Sequence, residues 1–189
     1  MVAVMETEDP WRPEAVVVKL SAGLLVFRTT PDDVVEVLIG HPGGPLWANR
    51  DQGSWSIPKG EYEDGEDPAA AADREFAEET GKPAPPGVRR DLGELRQPGG
   101  KRVRVWAVEG DVDVSRLDSN TFEMQWPPGS GRIARFPELD RAAWVTLAVA
   151  RRKLHRGQVE FIDRLVASGA LRTPQASPEP GFRPPDRRD

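Results

Sequence analysis

From Ala15 to Arg28 (AVVVKLSAGLLVFR) the chain is a run of β-branched and aliphatic residues, relieved by Lys19 and a Ser-Ala-Gly step. The run predicts a strand with a bend or bulge at Gly23. Val34–His41 (VVEVLIGH) predicts a second strand, and Pro31-Asp32-Asp33 between them a turn, so the two form a hairpin. His41–Ser54 is rich in Gly and Pro and reads as a loop, followed by a short extended stretch, Trp55–Pro58. Asp67–Thr80 predicts a helix: Asp67 suits the N-cap, Pro68 the first helical position, and Gly81 the position just past the end. Val88–Arg96 and Lys101–Glu109 predict a second hairpin around Gln97–Gly100, with one wet face where basic and apolar residues alternate. Thr121–Trp126 and Ala143–Thr146 are short strand candidates. Leu154–Ser168 carries apolar residues at near-helical spacing and predicts an amphipathic helix. The order implies a mixed α/β sandwich with mostly non-parallel strands.

Composition narrows the chemistry. The 189 residues suit one domain plus tails. We expect a flexible N-terminus at 1–13, a structured domain at 14–170 and a disordered Pro-rich tail at 171–189, with five prolines between Thr173 and Asp189. The absence of cysteine excludes disulfides, thiol catalysis and Cys-ligated zinc. With only His41 and His155, a multi-histidine metal centre is excluded too, and both read as structural or exposed. Oxygen ligation by carboxylates remains. A net charge of −5 argues against a basic nucleic-acid-binding face, and no stable nucleic-acid complex is expected. No apolar run is long enough for a membrane span, and the first residues do not resemble a secretory signal, so a cytoplasmic protein is expected.

The acidity is concentrated. Gly60–Gly81 (GEYEDGEDPAAAADREFAEETG) holds nine carboxylates against one base, Arg74, a charge of −8 that leaves the rest of the chain at +3. On the helix, Glu75, Glu78 and Glu79 stand at i, i+3 and i+4, on one face at about 100° per residue. Like charges at that spacing destabilise a helix by roughly 0.2–0.5 kcal/mol per pair. They also lie toward its C-terminal half, where the dipole disfavours anions. A compensating divalent cation such as Mg²⁺, a hard ion that prefers carboxylate oxygen, resolves both conflicts. An EF-hand is excluded, because Asp64-Gly65-Glu66 lacks its ligand spacing.

The same stretch resembles the signature of the Nudix hydrolases. That signature sets a Gly and a Glu six residues on, then Arg-Glu, an apolar residue, Glu-Glu, a Gly and an apolar residue at fixed spacing. Gly60, Glu66, Arg74, Glu75, Phe76, Glu78, Glu79 and Gly81 fill eight of the nine positions; Lys82 departs from the last, a packing position. The resemblance implies the Nudix-type α/β/α sandwich with a mixed sheet. It also implies metal-dependent hydrolysis of a diphosphate linked to another moiety. By position, Glu75, Glu78, Glu79 and the Gly60 carbonyl would hold Mg²⁺ or Mn²⁺. Arg74 would hold a glutamate in place, and Glu66 would support the loop. Glu78 or Glu79 would take the proton from the attacking water, with Glu123 the candidate if a distant glutamate serves instead.

The lead-in Pro58-Lys59-Gly60 looks like the diadenosine polyphosphate and inositol pyrophosphate branch, where Lys59 would meet a distal phosphate. The downstream run Ser119–Pro128 looks like a bacterial group of nucleotide pyrophosphohydrolases. Flat side chains suit base stacking, and Trp47, Trp106 and Trp126 are placed to line a pocket. The expected partner is thus a nucleotide or dinucleotide, such as a dinucleoside polyphosphate or a nucleoside triphosphate, and homodimers occur among relatives. The alternative is a catalytically silent nucleotide-sensing module of the same fold. Such modules usually lose a metal-binding glutamate or the arginine, and this chain keeps them all.

Overall fold

The computed structural model describes residues 19–98 and 100–171. The expectations for the N-terminus at 1–13, for strand residues 15–18 and for all but the first residue of the 171–189 tail lie outside the described residues.

The first two strands pair antiparallel as the turn chemistry requires. β1 spans Leu20–Thr29 and β2 spans Val35–Pro42, with Thr29 opposite Val35. Gly23 does not interrupt β1. A Cβ there would come within 2.9 Å of the Lys59 Cβ, because a short strand, β3 (Lys59–Glu61), pairs antiparallel with β1 at that point. The glycine permits close approach of two backbones rather than a bend. One edge of β1 is thus shared, β3 taking its first half and β2 its second. The other edge pairs in parallel with β5 (Arg102–Glu109), from Leu20↔Arg102 to Phe27↔Glu109. β5 forms the expected hairpin with β4 (Arg90–Arg96), and β8 (Leu139–Thr146) closes the far edge on β2. The order is β4-β5-β1-β2-β8, with β3 on β1.

Strand alternation divides the apolar residues between two faces. Ala22, Leu24, Val26, Leu38 and Val108 meet Ala71, Ala72 and Phe76 of helix α1 (Pro68–Thr80). Leu25, Phe27, Val37, Ile39, Val103 and Val105 meet Phe161, Ile162 and Leu165 of helix α3 (Val159–Ala167), along with Ala150 of helix α2 (Leu147–Lys153). The result is the expected α/β/α sandwich. Full burial of Phe76 or Phe161 is worth about 1.5–3 kcal/mol each.

α1 has the caps its sequence dictates: the Asp67 carboxylate accepts from the Ala70 N–H at 3.1 Å, and Gly81 is left-handed with φ 68°. The last helix starts later than the spacing suggests. Leu154 packs in the core beside a bridge to Trp55, and a 3₁₀ turn at Arg156–Gln158 precedes α3. β6 (Thr121–Gln125) pairs with β7 (Ile133–Pro137), which the pattern did not suggest. They form a separate two-stranded ribbon rather than an extension of the main sheet.

Candidate active site

α1 lies across β3, so its acidic face meets the strand that begins the acidic window. Glu75 and Glu79 are 8% and 9% exposed, far less than glutamates on a solvated face. Gly60 explains how Glu75 fits: a Cβ at residue 60 would sit 1.7 Å from Glu75 Oε2. The Glu79 carboxylate accepts from the Lys59 backbone N–H at 3.1 Å. Burial pushes the Glu79 carboxyl up to about 8, against the pull of the Lys59 charge and N–H. Burial also raises Glu75, despite its bond from Arg74, and lowers Lys59 despite the nearby Glu79.

Arg74 organises the remaining carboxylates. It donates to both oxygens of Glu66, at 3.0 and 3.2 Å, to Glu75 at 2.7 Å and to Glu78 at 3.3 Å. The Glu66 and Glu75 bonds raise the guanidinium pKa further, and the Arg74 bond lowers Glu66. Glu78, half-exposed, also accepts from the Asn120 amide at 3.3 Å, while the Asn120 N–H donates to the Glu78 carbonyl at 2.9 Å. The ribbon is thereby anchored to α1 at its first foot.

Glu75, Glu78 and Glu79 line one pocket of about 440 Å³, while Arg74 and Glu66 stand behind its wall rather than in it. Glu61, Glu75, Glu78, Glu79, Gly60, Lys59 and Lys101 form its polar wall, and Pro42, Gly43, Trp47 and Phe122 its apolar side. The fifth carboxylate is Glu138, between β7 and β8, which the linear pattern did not reveal. Its backbone explains its position: the Glu138 N–H donates to the Asn120 carbonyl at 2.7 Å, and its carbonyl accepts from Gly43 N–H at 2.9 Å. Glu123 is not there. It faces Arg135 across the ribbon at 2.7 Å, exposed, and is absent from the pocket wall. Trp126 lies just past β6, outside the pocket lining, and Trp106 packs in the core against the α1 side. Arg102 and Arg104 pair with Glu94 and Asp91, leaving only Lys101 of that basic strand at the pocket.

Five carboxylates around an open cavity are hard oxygen donors of the kind Mg²⁺ and Mn²⁺ take. Their chemistry fits a divalent ion, and the missing Gly60 side chain leaves the space that the Glu75 carboxylate occupies. Among the described residues, however, no three ligating side chains converge on one point. Glu75 and Glu78 are turned onto Arg74, and Glu79 onto the Lys59 N–H.

An α/β/α sandwich whose acidic helix packs on the strand carrying Gly60 is the architecture of the Nudix fold. The NUDIX domain model matches residues 19–165, and the chain belongs to the Nudix family as a pyrophosphohydrolase. Nudix hydrolases generally use divalent metal ions. The fold is similar to that of a Caenorhabditis elegans Ap4A hydrolase binary complex, at 21% identity and a TM-score of 0.56 over 80% of this chain and 97% of that one. It is also similar to the NUDIX domain of Shewanella oneidensis NrtR complexed with ADP ribose, at 15% identity and a TM-score of 0.57 over 84% and 94%. A MutT protein from Methanosarcina mazei Go1 shares the fold at 18% identity and a TM-score of 0.52 over 81% and 96%. Among curated protein sequences nothing matches. Among the described residues no helix is long and apolar enough to cross a membrane.

Proposed function

We propose that the acidic pocket hydrolyses a phosphoanhydride bond in a nucleoside diphosphate linked to another moiety, a dinucleoside polyphosphate or a nucleoside triphosphate, with Mg²⁺ or Mn²⁺. The observation that carries this reading is the gathering of Glu75, Glu78, Glu79, Gly60, Lys59 and Glu138 around one cavity. Glu75, Glu78, Glu79 and the Gly60 carbonyl would hold the ion, with Glu138, which lines the same cavity, completing the set. When bound, a divalent ion supplies charge that neutralises the phosphates and favours ionisation of water.

The chain's residues do the rest. Glu79 takes the proton of the attacking water as its oxygen bonds to phosphorus and the anhydride P–O bond breaks; the departing phosphate leaves with the electron pair. A bound divalent ion and the Lys59 N–H, 3.1 Å away, would keep Glu79 ionised until it takes that proton. Arg74 is a positioning residue: it touches Glu66, Glu75 and Glu78 and keeps them in register. Lys59 and Lys101 meet the outer phosphates. Trp47 presents an aromatic face at the pocket rim, and Trp126, farther along the ribbon, is placed only for a moiety that extends well beyond it.

The test is a panel of nucleoside triphosphates, dinucleoside polyphosphates and nucleotide sugars with Mg²⁺ or Mn²⁺, with product identification. Turnover that stops on chelation and returns with metal supports the reading. Turnover that survives chelation, or no turnover across the panel, refutes it. Release of ATP from diadenosine tetraphosphate would support the dinucleoside polyphosphate substrate, and release of two ADP would count against it.

A further inference from the structure

The strand that carries Gly60 is set in place before it begins. Between Trp55 and Lys59 each backbone N–H has a partner in another element. The Trp55 N–H donates to the Lys153 carbonyl at 3.0 Å, and the Trp55 carbonyl accepts from the His155 N–H at 2.8 Å. Ser56 and Gly40 of β2 exchange both bonds at 2.8 Å, and the Pro58 carbonyl accepts from the Leu24 N–H of β1 at 3.0 Å. Side chains take the remaining two donors. Glu79 accepts from the Lys59 N–H at 3.1 Å, and the side-chain carbonyl of Gln158 accepts from the Ile57 N–H at 2.8 Å.

Gln158 serves that bond rather than its own helix. It ends the 3₁₀ turn and stands at the N-cap of α3, where its side chain makes no capping bond. Ser, Thr, Asp and Asn are the residues that cap there. The longer glutamine side chain reaches Ile57 instead. Gln158 is 2% exposed and Ile57 is fully buried, so losing the acceptor would leave a buried donor unpaired. The turn that presents Gln158 is itself fixed: its N–H donates to the His155 carbonyl at 2.8 Å, and Leu154 beside it is buried in the core.

Resting on the function proposed above, we infer that Gln158 is a positioning residue of the site, acting through Ile57 on Lys59 and Gly60. Its side chain is not in the pocket wall, so it acts at one remove. Pro58 makes the link stiff: the ring fixes its own φ at about −65° and holds Ile57 extended, so a shift at Ile57 is passed to Lys59. Beyond the proline little movement is tolerated. A Cβ at residue 60 would sit 1.7 Å from Glu75 Oε2, so β3 lies as near that carboxylate as a glycine allows. The Lys59 N–H meets Glu79 at the same time. Gln158 comes from the α3 side of the sheet and Glu79 from the α1 side, and their two bonds clamp the start of β3 between the layers. A misplacement of about 1 Å in a reacting constellation costs about 100-fold in rate.

The experiment compares the full chain with two variants. Gln158→Met keeps the length but lacks a comparable acceptor, and Gln158→Glu keeps an acceptor oxygen at the same reach. Hydrogen exchange in chelator reads the coupling without metal or substrate. In Gln158→Met the Ile57 amide should exchange roughly 5- to 150-fold faster, the range for a buried donor left unpaired, and the Lys59 amide should quicken with it. With Mg²⁺ and ATP or diadenosine tetraphosphate, the kcat of Gln158→Met should fall at least about tenfold, while Gln158→Glu stays near the parent. Ile162→Val, which trims α3 in the same core, should keep the parent's kcat. Lys59 exchange in Gln158→Met equal to the parent's would overturn the inference, as would a near-parent kcat. So would equal impairment of the Met and Glu variants, or an Ile162→Val loss as large as that of Gln158→Met, because activity would then follow helix stability. If Gln158→Met does not fold, native-state exchange of the parent decides: Ile57 and Lys59 should open together, and opening constants more than about tenfold apart would overturn the coupling. A parent that turns over no nucleotide would refute the hydrolase reading, while Lys59 exchange still decides the coupling.

Discussion

Replacing Gly60 with alanine separates fold from function more sharply than removing any charged residue. Gly60 sits in the middle of β3 opposite Ala22, in a backbone conformation that alanine adopts without strain. The new methyl would lie 1.7 Å from Glu75 Oε2 and 2.1 Å from its Cδ. Ordinary contact needs about 3.5 Å, so the carboxylate must retreat by roughly 1.5–2 Å. The displaced atoms are the free end of one side chain, not backbone. At most the chain loses the 2.7 Å bond from Arg74 to Glu75, worth about 1.5–3 kcal/mol, and regains part of it as a buried carboxylate reaches water. The melting temperature in chelator should therefore fall by no more than about 10 °C. Turnover should drop at least about 100-fold, because a misplacement of about 1 Å in a reacting constellation already costs that much. Calorimetric titration with Mg²⁺ should show weakened binding in parallel. Near-native turnover by Gly60→Ala would refute the placement of Glu75 at the centre of the site. A fall in melting temperature well beyond 10 °C would show that the glycine serves the fold instead.

Two further substitutions probe the buried groups. Burial raises Glu79 to about 8 in the folded chain, against an ordinary value of 4.5, so the folded state binds that proton more tightly than the unfolded one. Stability of the chelated protein should then decline as pH rises from about 4.5 to 8, and Glu79→Gln should remove that contribution. The variant's melting temperature should hold at acid pH and exceed the parent's at pH 8, while turnover with Mg²⁺ falls about 10²–10⁴-fold. An unchanged slope of stability against pH, followed by thermal scans, would contradict the burial argument. His41 is fully buried: its Nε2–H donates to the Arg50 carbonyl at 2.7 Å, and its Nδ1 lies 2.7 Å from Asp140 Oδ1. His41→Leu fills similar space but leaves the carbonyl unpaired, so urea unfolding should report a loss of about 1–3 kcal/mol. Because His41 ties together the loop that begins at Gly43 and the strand that begins beside Glu138, turnover should fall with it. Unaltered stability would show that the contacts of His41 are dispensable.

Features set by neighbouring residues were legible in the chain alone. The start and end of α1 follow from Asp67, Pro68 and Gly81, because capping and left-handed termination act within a few residues. The two hairpins follow from their turns, and the gathering of Glu75, Glu78 and Glu79 on one face follows from helical geometry. The spacing from Gly60 to Gly81 carried the family. Tertiary structure decided what depends on distant segments meeting. The parallel pairing of β1 with β5 joins strands about 80 residues apart, and no local preference specifies it. That sheet makes Gly23 a point of backbone approach and lets α1 bury Glu79 deeply enough to favour its proton. Glu138 has no motif around it; it reaches the pocket because Asn120 and Gly43 hold its backbone there. Glu123 carries the same side chain but faces Arg135 across the ribbon, since a strand turns alternate residues to opposite sides. A carboxylate's type can be read from its letter, but its burial, its partners and its distance from the other carboxylates come from long-range packing.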